Sequence, residues 1–383
     1  MEIRFVVHED RDDLLDLRSR AFGRLSAAER DRVLPRLRQE FAEERVLGIY
    51  DGGRLIASGR YHPMEQWWHG SAVPMGGVAS VYVAPEERGR GAGARLAAAL
   101  LDLIGDRGMP LSVLYPATVP VYRKVGYELA GGSHWYSFDA DALRTIRGDT
   151  VKVRRAGPDD AAEVVAVLRR VHAAAGDCGP VDNGEAHVRW ELEDPDVFAY
   201  LADDGFLTYH WNDDHSEFVI EQLVAGSAPT ARTLWALVGS GSSVVQTVRA
   251  HMSPHDPVLW LLRDLSARHA WRSTWMLRLV DAPAAIAGRG FPAGVSTEVP
   301  LIVEDALRPS NAGPWRLTVA DGRGTLERAA ESPDAVRLDI RGLAALYAGA
   351  PAATLSRAGL LDGGDLAALD AVFAAASFML DEF

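Results

Sequence analysis

One turn constrains this chain more than any other stretch of it. Residues 79–83, Ala-Ser-Val-Tyr-Val, read as a strand, and residues 84–94 continue Ala-Pro-Glu-Glu-Arg-Gly-Arg-Gly-Ala-Gly-Ala. Arg88, Gly91 and Gly93 fit the pattern R-x-x-G-x-G, and a helix-forming run follows at once. Glycine lets backbone approach a ligand closely and adopt a positive φ. The first turn of a helix has free N–H groups and the positive end of the dipole, so it receives anions. Arg88 and Arg90 add positive charge. The segment is therefore expected to hold a pyrophosphate.

The surroundings narrow this reading. Leu96, Leu100, Leu103 and Ile104 recur at helical spacing, so the helix is expected to pack on a sheet. Leu111–Tyr115 then reads as a buried strand, and Tyr122, Gly126 and Tyr127 give Y-x-x-x-G-Y. A P-loop is excluded because no G-K-[ST] follows. Gly89, Gly91 and Ala94 come close to a dinucleotide fingerprint, but residues 111–115 end without the acidic residue that would hold a ribose. Strand, phosphate turn, helix, strand and Y-x-x-x-G-Y in this order resemble the GCN5-related N-acetyltransferases (GNAT). That resemblance implies acetyl-coenzyme A as co-substrate, with its pyrophosphate at Arg88, Gly89, Arg90, Gly91, Ala92, Gly93 and Ala94. It places the pantetheine arm along Val81, Tyr82 and Val83, with Ala117 and Thr118 also at the cofactor.

Bulk properties bound the rest. The 383 residues suffice for two or three domains. A net charge of −13 argues against a nucleic-acid surface. The single Cys178 forms no internal disulfide and suits a reducing compartment; it is expected to be a small buried residue. The first residues lack the basic and apolar regions of a secretory leader, and no apolar run reaches the ~18 residues of a membrane span. A cytoplasmic enzyme with no membrane partner is expected. His251 and His255 are four apart, but Pro254 lies between them, and no metal site is expected.

Along the chain, residues 3–7 read as a strand, and 10–22 and 27–41 as helices. Residues 45–51 and 54–61 read as a hairpin around Asp51-Gly-Gly, and 136–138 as a returning strand. The alternation restarts near residue 151, with helices at 159–175, 229–238 and 258–265 and strands at 197–202, 205–209, 218–223 and 243–248. This second unit has no R-x-x-G-x-G turn. From about Arg289 the pattern changes to antiparallel strands and two helices, 340–348 and 366–373. The expected fold is α/β plus α+β: residues 1–140 a GNAT acetyltransferase domain, 141–288 a degenerate GNAT-like domain, and 289–383 a small α+β domain.

This layout is similar to the Eis (enhanced intracellular survival) family of multidomain acetyltransferases. The residues that carry the similarity are 81–85, 88–94, 121–127, 271–275 with Leu277 and Arg278, 281–290, 345–349 and the closing Glu382-Phe383. The resemblance implies a sterol-carrier-protein-like C-terminal domain and a homohexamer. It implies an N-acetyltransferase whose acceptor is a primary amine, on a small molecule (an aminoglycoside among them) or a lysine side chain. It makes Tyr122 the general acid and the terminal carboxylate of Phe383 the base, with Phe22, Arg24 and Glu382 at the substrate. A rival of another class is a non-catalytic protein that binds acyl-CoA and an apolar ligand.

The residue types qualify these roles. A thiol has a pKa of about 8.5 and a phenol about 10, so proton transfer from Tyr122 to the thiolate is uphill by roughly 2 kcal/mol. Hydrogen bonding or concerted transfer fits better, and Tyr127 is the competitor. A carboxylate of pKa about 3.5 cannot readily strip an ammonium of about 10, but it can take the proton after attack or hold the cation. Apolar Phe378, Met379, Leu380 and Phe383 argue for a docked tail. Family members that act on polycations carry an acidic residue where Arg24 falls. Trp67 and Trp68 either line a pocket or join the core.

Overall fold

The computed structural model describes residues 1–264 and 266–383. The chain opens with strand β1 (Glu2–Phe5) and helices α1 (Arg11–Phe22) and α2 (Ala27–Ala42). A capping box starts α2: Ser26 Oγ accepts from the Glu29 N–H at 3.2 Å, and the Glu29 carboxylate accepts from the Ser26 N–H at 2.7 Å. Strands β2 (Val46–Asp51) and β3 (Arg54–Trp68) form the expected hairpin around the Asp51-Gly-Gly turn. Strand β4 (Ser71–Val83) leads through the phosphate turn into α3 (Ala92–Asp106), then come β5 (Leu111–Leu114), α4 (Val119–Arg123) and β6 (Glu128–Asp139). Leu96, Ala97, Leu100, Leu101 and Ile104 are buried, so α3 lays one face on the sheet as its periodicity requires.

Among the described residues, the main sheet has fourteen strands and runs without a break through the first and second units. Its path is β1-β2-β3-β4-β5, then Arg268–Leu279, then β6, then Thr247–His251 and the strands of the second unit. Strand Arg268–Leu279 thus enters between β5 and β6, antiparallel to both. The sequence pattern gave no strand there, and Cys178–Asp182, which pairs with β3, was also not expected. β3 is longer than its hairpin half, so Trp67 and Trp68 fall inside it, and both are buried. Trp68 meets Trp275 and Tyr347 edge-on, a core role. The expected helix 258–265 is observed over Val258–Leu261, and Leu265 lies outside the described residues. The expected strand 243–248 is Thr247–His251 instead.

The C-terminal unit is a five-stranded sheet, ordered Arg323–Arg328, Gly313–Ala320, Thr297–Glu304, Val336–Asp339 and Leu361–Asp362, packed with three helices. Two buried arginines join it to the rest. Arg278 is paired with Asp305 at 2.7 Å, and both are fully enclosed. Arg289 has no carboxylate within pairing distance among the described residues. It gives Nη1 to the Gly290 carbonyl and Nη2 to that of Tyr347, amid the rings of Trp68, Phe291, Tyr347 and Phe373.

Candidate active site

The site begins where two parallel strands part. β4 pairs with β5 only at Met75, Gly76 and Gly77, opposite Leu111, Ser112 and Val113. Beyond Gly77, β4 stays paired to β3 on its other edge, through Tyr82 and Val83 opposite Ser58 and Ala57. The register shifts between Ser58 and Arg60, and Ser80 takes a positive φ of 53°. One extra β4 residue is accommodated there as a bulge, which bends the strand away from its neighbour. The β5-facing backbone edge of residues 78–83 is therefore free to accept an extended ligand as an added strand. Val81 lies toward Leu96 and Leu100 of α3, while Tyr82 is buried against Phe22 of α1.

The glycine-rich turn follows directly. Gly89 and Gly91 have φ of 78° and 85°, and Gly91 is the N-cap of α3 in the left-handed region. A side chain there would be strained whatever the space. The two arginines differ. Arg90 is paired with Glu87 at 2.6 Å, and Glu87 also holds Arg54 at 2.7 Å. Arg88 is exposed and enters no ion pair among the described residues, so it is the charge available to an anion. Ala92, Gly93 and Ala94 form the first turn of α3. Ala117 and Thr118 lie exposed after β5, where Thr118 is the N-cap of α4. These residues fit a thioester-linked nucleotide: a free strand edge, a helix start with left-handed glycines, and one unpaired guanidinium.

The two tyrosines separate clearly. Tyr127 is fully buried, and its hydroxyl is 2.6 Å from Ser112 Oγ, which donates in turn to the Gly76 carbonyl at 2.9 Å. That chain ties β6 to β5 and β4 at the point where the gap opens. Tyr122, on α4, packs edge-on against Tyr127, and its hydroxyl makes no hydrogen bond within the described residues. Burial pushes the Tyr122 phenol up to about 12. It keeps its proton at neutral pH and can donate a hydrogen bond.

The C-terminal tail reaches the same gap. Phe378 and Met379 pair in parallel with Gly132 and Ser133 of β6, and Phe378, Met379 and Leu380 are buried. Tyr115, immediately after β5, donates its hydroxyl to the Asp381 carbonyl at 2.8 Å. The Glu382 carboxylate accepts from Ser133 Oγ at 3.2 Å and Ser273 Oγ at 3.3 Å. Ser133 Oγ also meets His251 Nε2 at 2.7 Å. Burial depresses His251 to about 4, so it is neutral. His251 stacks on Trp135, and no cluster of metal ligands occurs among the described residues. The Phe383 ring then meets Tyr115 edge-on at 5.8 Å. A Cβ on Gly77 would come within 2.6 Å of the Phe383 ring, with the Met64 methyl closer still. Only glycine admits the ring there.

On the α1–α2 side, Phe22 is exposed apart from its contact with Tyr82, and Arg24 points to solvent. Glu40 is fully buried and holds Arg60 at 2.8 Å and Arg36 at 3.3 Å. His62 lies among them; burial and the positive Arg60, Arg36 and Arg45 push it down to about 2, so it is uncharged. Ser80, Tyr115, Met64, Asn183 and Asp381 had no site role expected from the sequence. Only the Gly77–Phe383 approach had a signal, the Gly76-Gly77 pair within an apolar strand.

The arrangement brings a free strand edge, a glycine-rich helix start, the Tyr122 phenol and the Phe383 ring to one gap. Comparison with known proteins gives the family. The description "Acetyltransferase (GNAT) domain" matches residues 2–130 and, separately, 183–279, and "Sterol carrier protein domain" matches 282–380. N-acetyltransferase Eis of Mycobacterium tuberculosis is 29% identical over 85% of each chain. An N-acetyltransferase of Streptomyces avermitilis is 28% identical over 91% of this chain and 90% of its own. Among solved structures, a GCN5-related N-acetyltransferase from Kribbella flavida is 44% identical with a TM-score of 0.95, covering 100% of this chain and 98% of its own. Eis1 of Mycobacterium abscessus is 26% identical with a TM-score of 0.80, covering 100% of both chains. The expected succession of two acetyltransferase-like domains and a sterol-carrier-like domain is what these matches give.

Proposed function

This chain belongs to the Eis-type GCN5-related N-acetyltransferases, and we propose that it moves an acetyl group from acetyl-CoA to a primary amine by direct attack on the thioester. The family settles an acetyl-CoA-dependent enzyme rather than a passive carrier of acyl-CoA. The acceptor we propose is the amine of a small molecule, with a lysine side chain as the neighbouring chemistry.

The observation that carries this reading is Phe383 at the apex of the β4–β5 gap, between Gly77 and Tyr115. Residues Val81 to Val83 would hold the pantetheine arm, and a backbone N–H there would polarise the thioester carbonyl. The amine attacks, the nitrogen becomes acidic, and the Phe383 carboxylate takes its proton. Tyr122 donates a hydrogen bond to the sulfur as the carbon–sulfur bond breaks, and coenzyme A leaves as a thiolate that then takes a proton from solvent. Arg24 in solvent and the arginines near Glu40 speak against broad acetylation of polycations.

The test is thiol release from acetyl-CoA across a panel of amines, aminoglycosides and lysine peptides. Release with free small amines above peptides is expected; release with peptides alone would make it a protein-lysine acetyltransferase. A closed assembly, a homohexamer by resemblance, belongs to the same proposal, and exposed Trp260 and Trp271 support a covered face. Light scattering reporting a 41.5 kDa monomer at micromolar concentration would count against it. Among the described residues no helix is long and apolar enough to cross a membrane. A cytoplasmic setting is part of the proposal.

A further inference from the structure

We propose that the acceptor amine carries an acidic group on an apolar body, and that Arg18 receives that group. The proposal rests on the primary-amine reading above and narrows it. A cavity of about 150 Å³ lies between α1, α2 and strands β3 and β4, and its lining includes Ser80 and Tyr82, the bulged stretch of β4. This is below the usual range for a drug-sized ligand, so the occupant is small. Gly77, under the Phe383 ring, lies three residues before Ser80 on the same strand, a distance of about 10 Å.

The lining sets the chemistry. Leu14 and Leu15 of α1, Val33 and Leu37 of α2, Leu25 between them and Val46 of β2 give half of the wall as leucine and valine. Among the described residues of the lining, the charged ones are Arg18 and Arg60, with no carboxylate. Arg60 is balanced by Glu40, but Glu40 also serves Arg36, so two guanidiniums share one carboxylate. Arg18 enters no ion pair among the described residues. It gives one Nη1 hydrogen to the Gly23 carbonyl at 2.7 Å and keeps the rest of its fork. Arg24, beyond Gly23, adds an exposed positive charge at the same corner. His62 contributes no charge.

A positive surplus of this kind attracts an anion and repels a second ammonium. It also favours the neutral form of an amine held nearby, because a like charge lowers an ammonium's pKa. That is what a weak terminal carboxylate needs, since it cannot deprotonate a free ammonium. An apolar chain with an amine at one end and a carboxylate at the other satisfies walls, charge and catalysis together.

The experiment compares ω-aminohexanoate, hexylamine and α,ω-diaminohexane, one chain with an anionic, neutral or cationic far end. Thiol release from acetyl-CoA gives kcat/KM for each. The order anion, neutral, cation is expected, with the amino acid roughly tenfold or more above the diamine. Arg18→Glu should invert the order of the two charged acceptors, and Arg18→Gln should narrow the gap between them. Arg18 is half-exposed, so neither change threatens the fold. A wild-type enzyme that takes the diamine as well as the amino acid overturns the proposal and leaves the primary-amine reading standing. A charge-reversed enzyme that keeps the wild-type order overturns the role of Arg18. No release with any of the three, while calorimetry still shows acetyl-CoA binding, overturns the small-amine reading itself.

Discussion

Asn183 holds Asp381 across 198 residues of sequence: its Nδ2 donates to Oδ1 at 2.8 Å. Asn183 follows the strand Cys178–Asp182 of the second unit, and Asp381 stands two residues before Phe383. The second unit, which lacks a phosphate turn, thereby fixes the tail that enters the first unit's gap. The other carboxyl oxygen of Asp381 is buried without a partner. A proton on this acid costs nothing in charge, whereas its removal strands an anion in a dry seat.

Asp381 should make stability pH-dependent. Burial, followed by negative Glu191, pushes its pKa from 3.8 up to about 7. Between these values the native state holds a proton that the unfolded chain has released. Its contribution is complete below about pH 4 and is lost as pH rises to about 7. Asp381→Asn removes that titration. The Tm of the variant minus that of wild type should grow between about pH 5 and about pH 8. Parallel curves would show that Asp381 ionises like an exposed carboxylate.

The local parts of this molecule were legible. Gly89 and Gly91 announce a left-handed turn because few other residues adopt it, and the apolar spacing of α3 announces its buried face. Pairing over long separations was not. Strand Arg268–Leu279 inserts between β5 and β6 because Met276 and Leu277 find partners on both sides, and nothing local encodes that. Its exposed first half, with Trp271 outward, also breaks the alternation that marks a strand. The tail's apolar residues signalled docking, but the seat itself is built from Tyr115, Ser133, Asn183 and Ser273, none of them near it in sequence.

Tyr122→Phe should lower kcat by ~10²–10⁴, the range for a lost acid, with little change in acetyl-CoA affinity. Tyr127→Phe should act on stability instead. It leaves Ser112 without its 2.6 Å partner in the core, which costs about 1–3 kcal/mol. Steady-state kinetics and thermal unfolding of the two variants separate these effects. The opposite assignment would follow if Tyr127→Phe were the slower enzyme. Because burial holds Tyr122 near 12, no alkaline limb from this group should appear below about pH 10.

Gly91→Glu should abolish acetyl-CoA binding while the protein still folds. A Cβ there meets no atom within 4 Å, so the loss comes from the left-handed backbone and the carboxylate at the pyrophosphate seat. Gly91→Ala isolates the backbone part, about 1–2 kcal/mol. Calorimetry should rank wild type, alanine and glutamate in falling affinity. Near-normal binding by the glutamate variant would move the pyrophosphate elsewhere.

Phe383 should act through both its place and its carboxylate. The ring sits where β4 and β5 part, over Gly77 and beside Tyr115, and the proposed reaction puts the thioester in that gap. A Gly-Ser extension after Phe383 removes the charge from that position and adds bulk. Deleting Phe383 leaves the carboxylate on Glu382, ~3.5 Å short of its place. Gly77→Ala reaches the same end from the strand side, because its Cβ would overlap the ring and force the tail out. All three should cut turnover at least tenfold, the lower end for losing a general base being ~10². Acetyl-CoA affinity should stay nearly intact in each, since the Arg88–Ala94 turn lies at the other end of the gap. An N-terminal tag of equal length should be harmless. If the extended enzyme and Gly77→Ala both turn over amines at the wild-type rate, the carboxylate takes no proton. The base must then be solvent or another side chain.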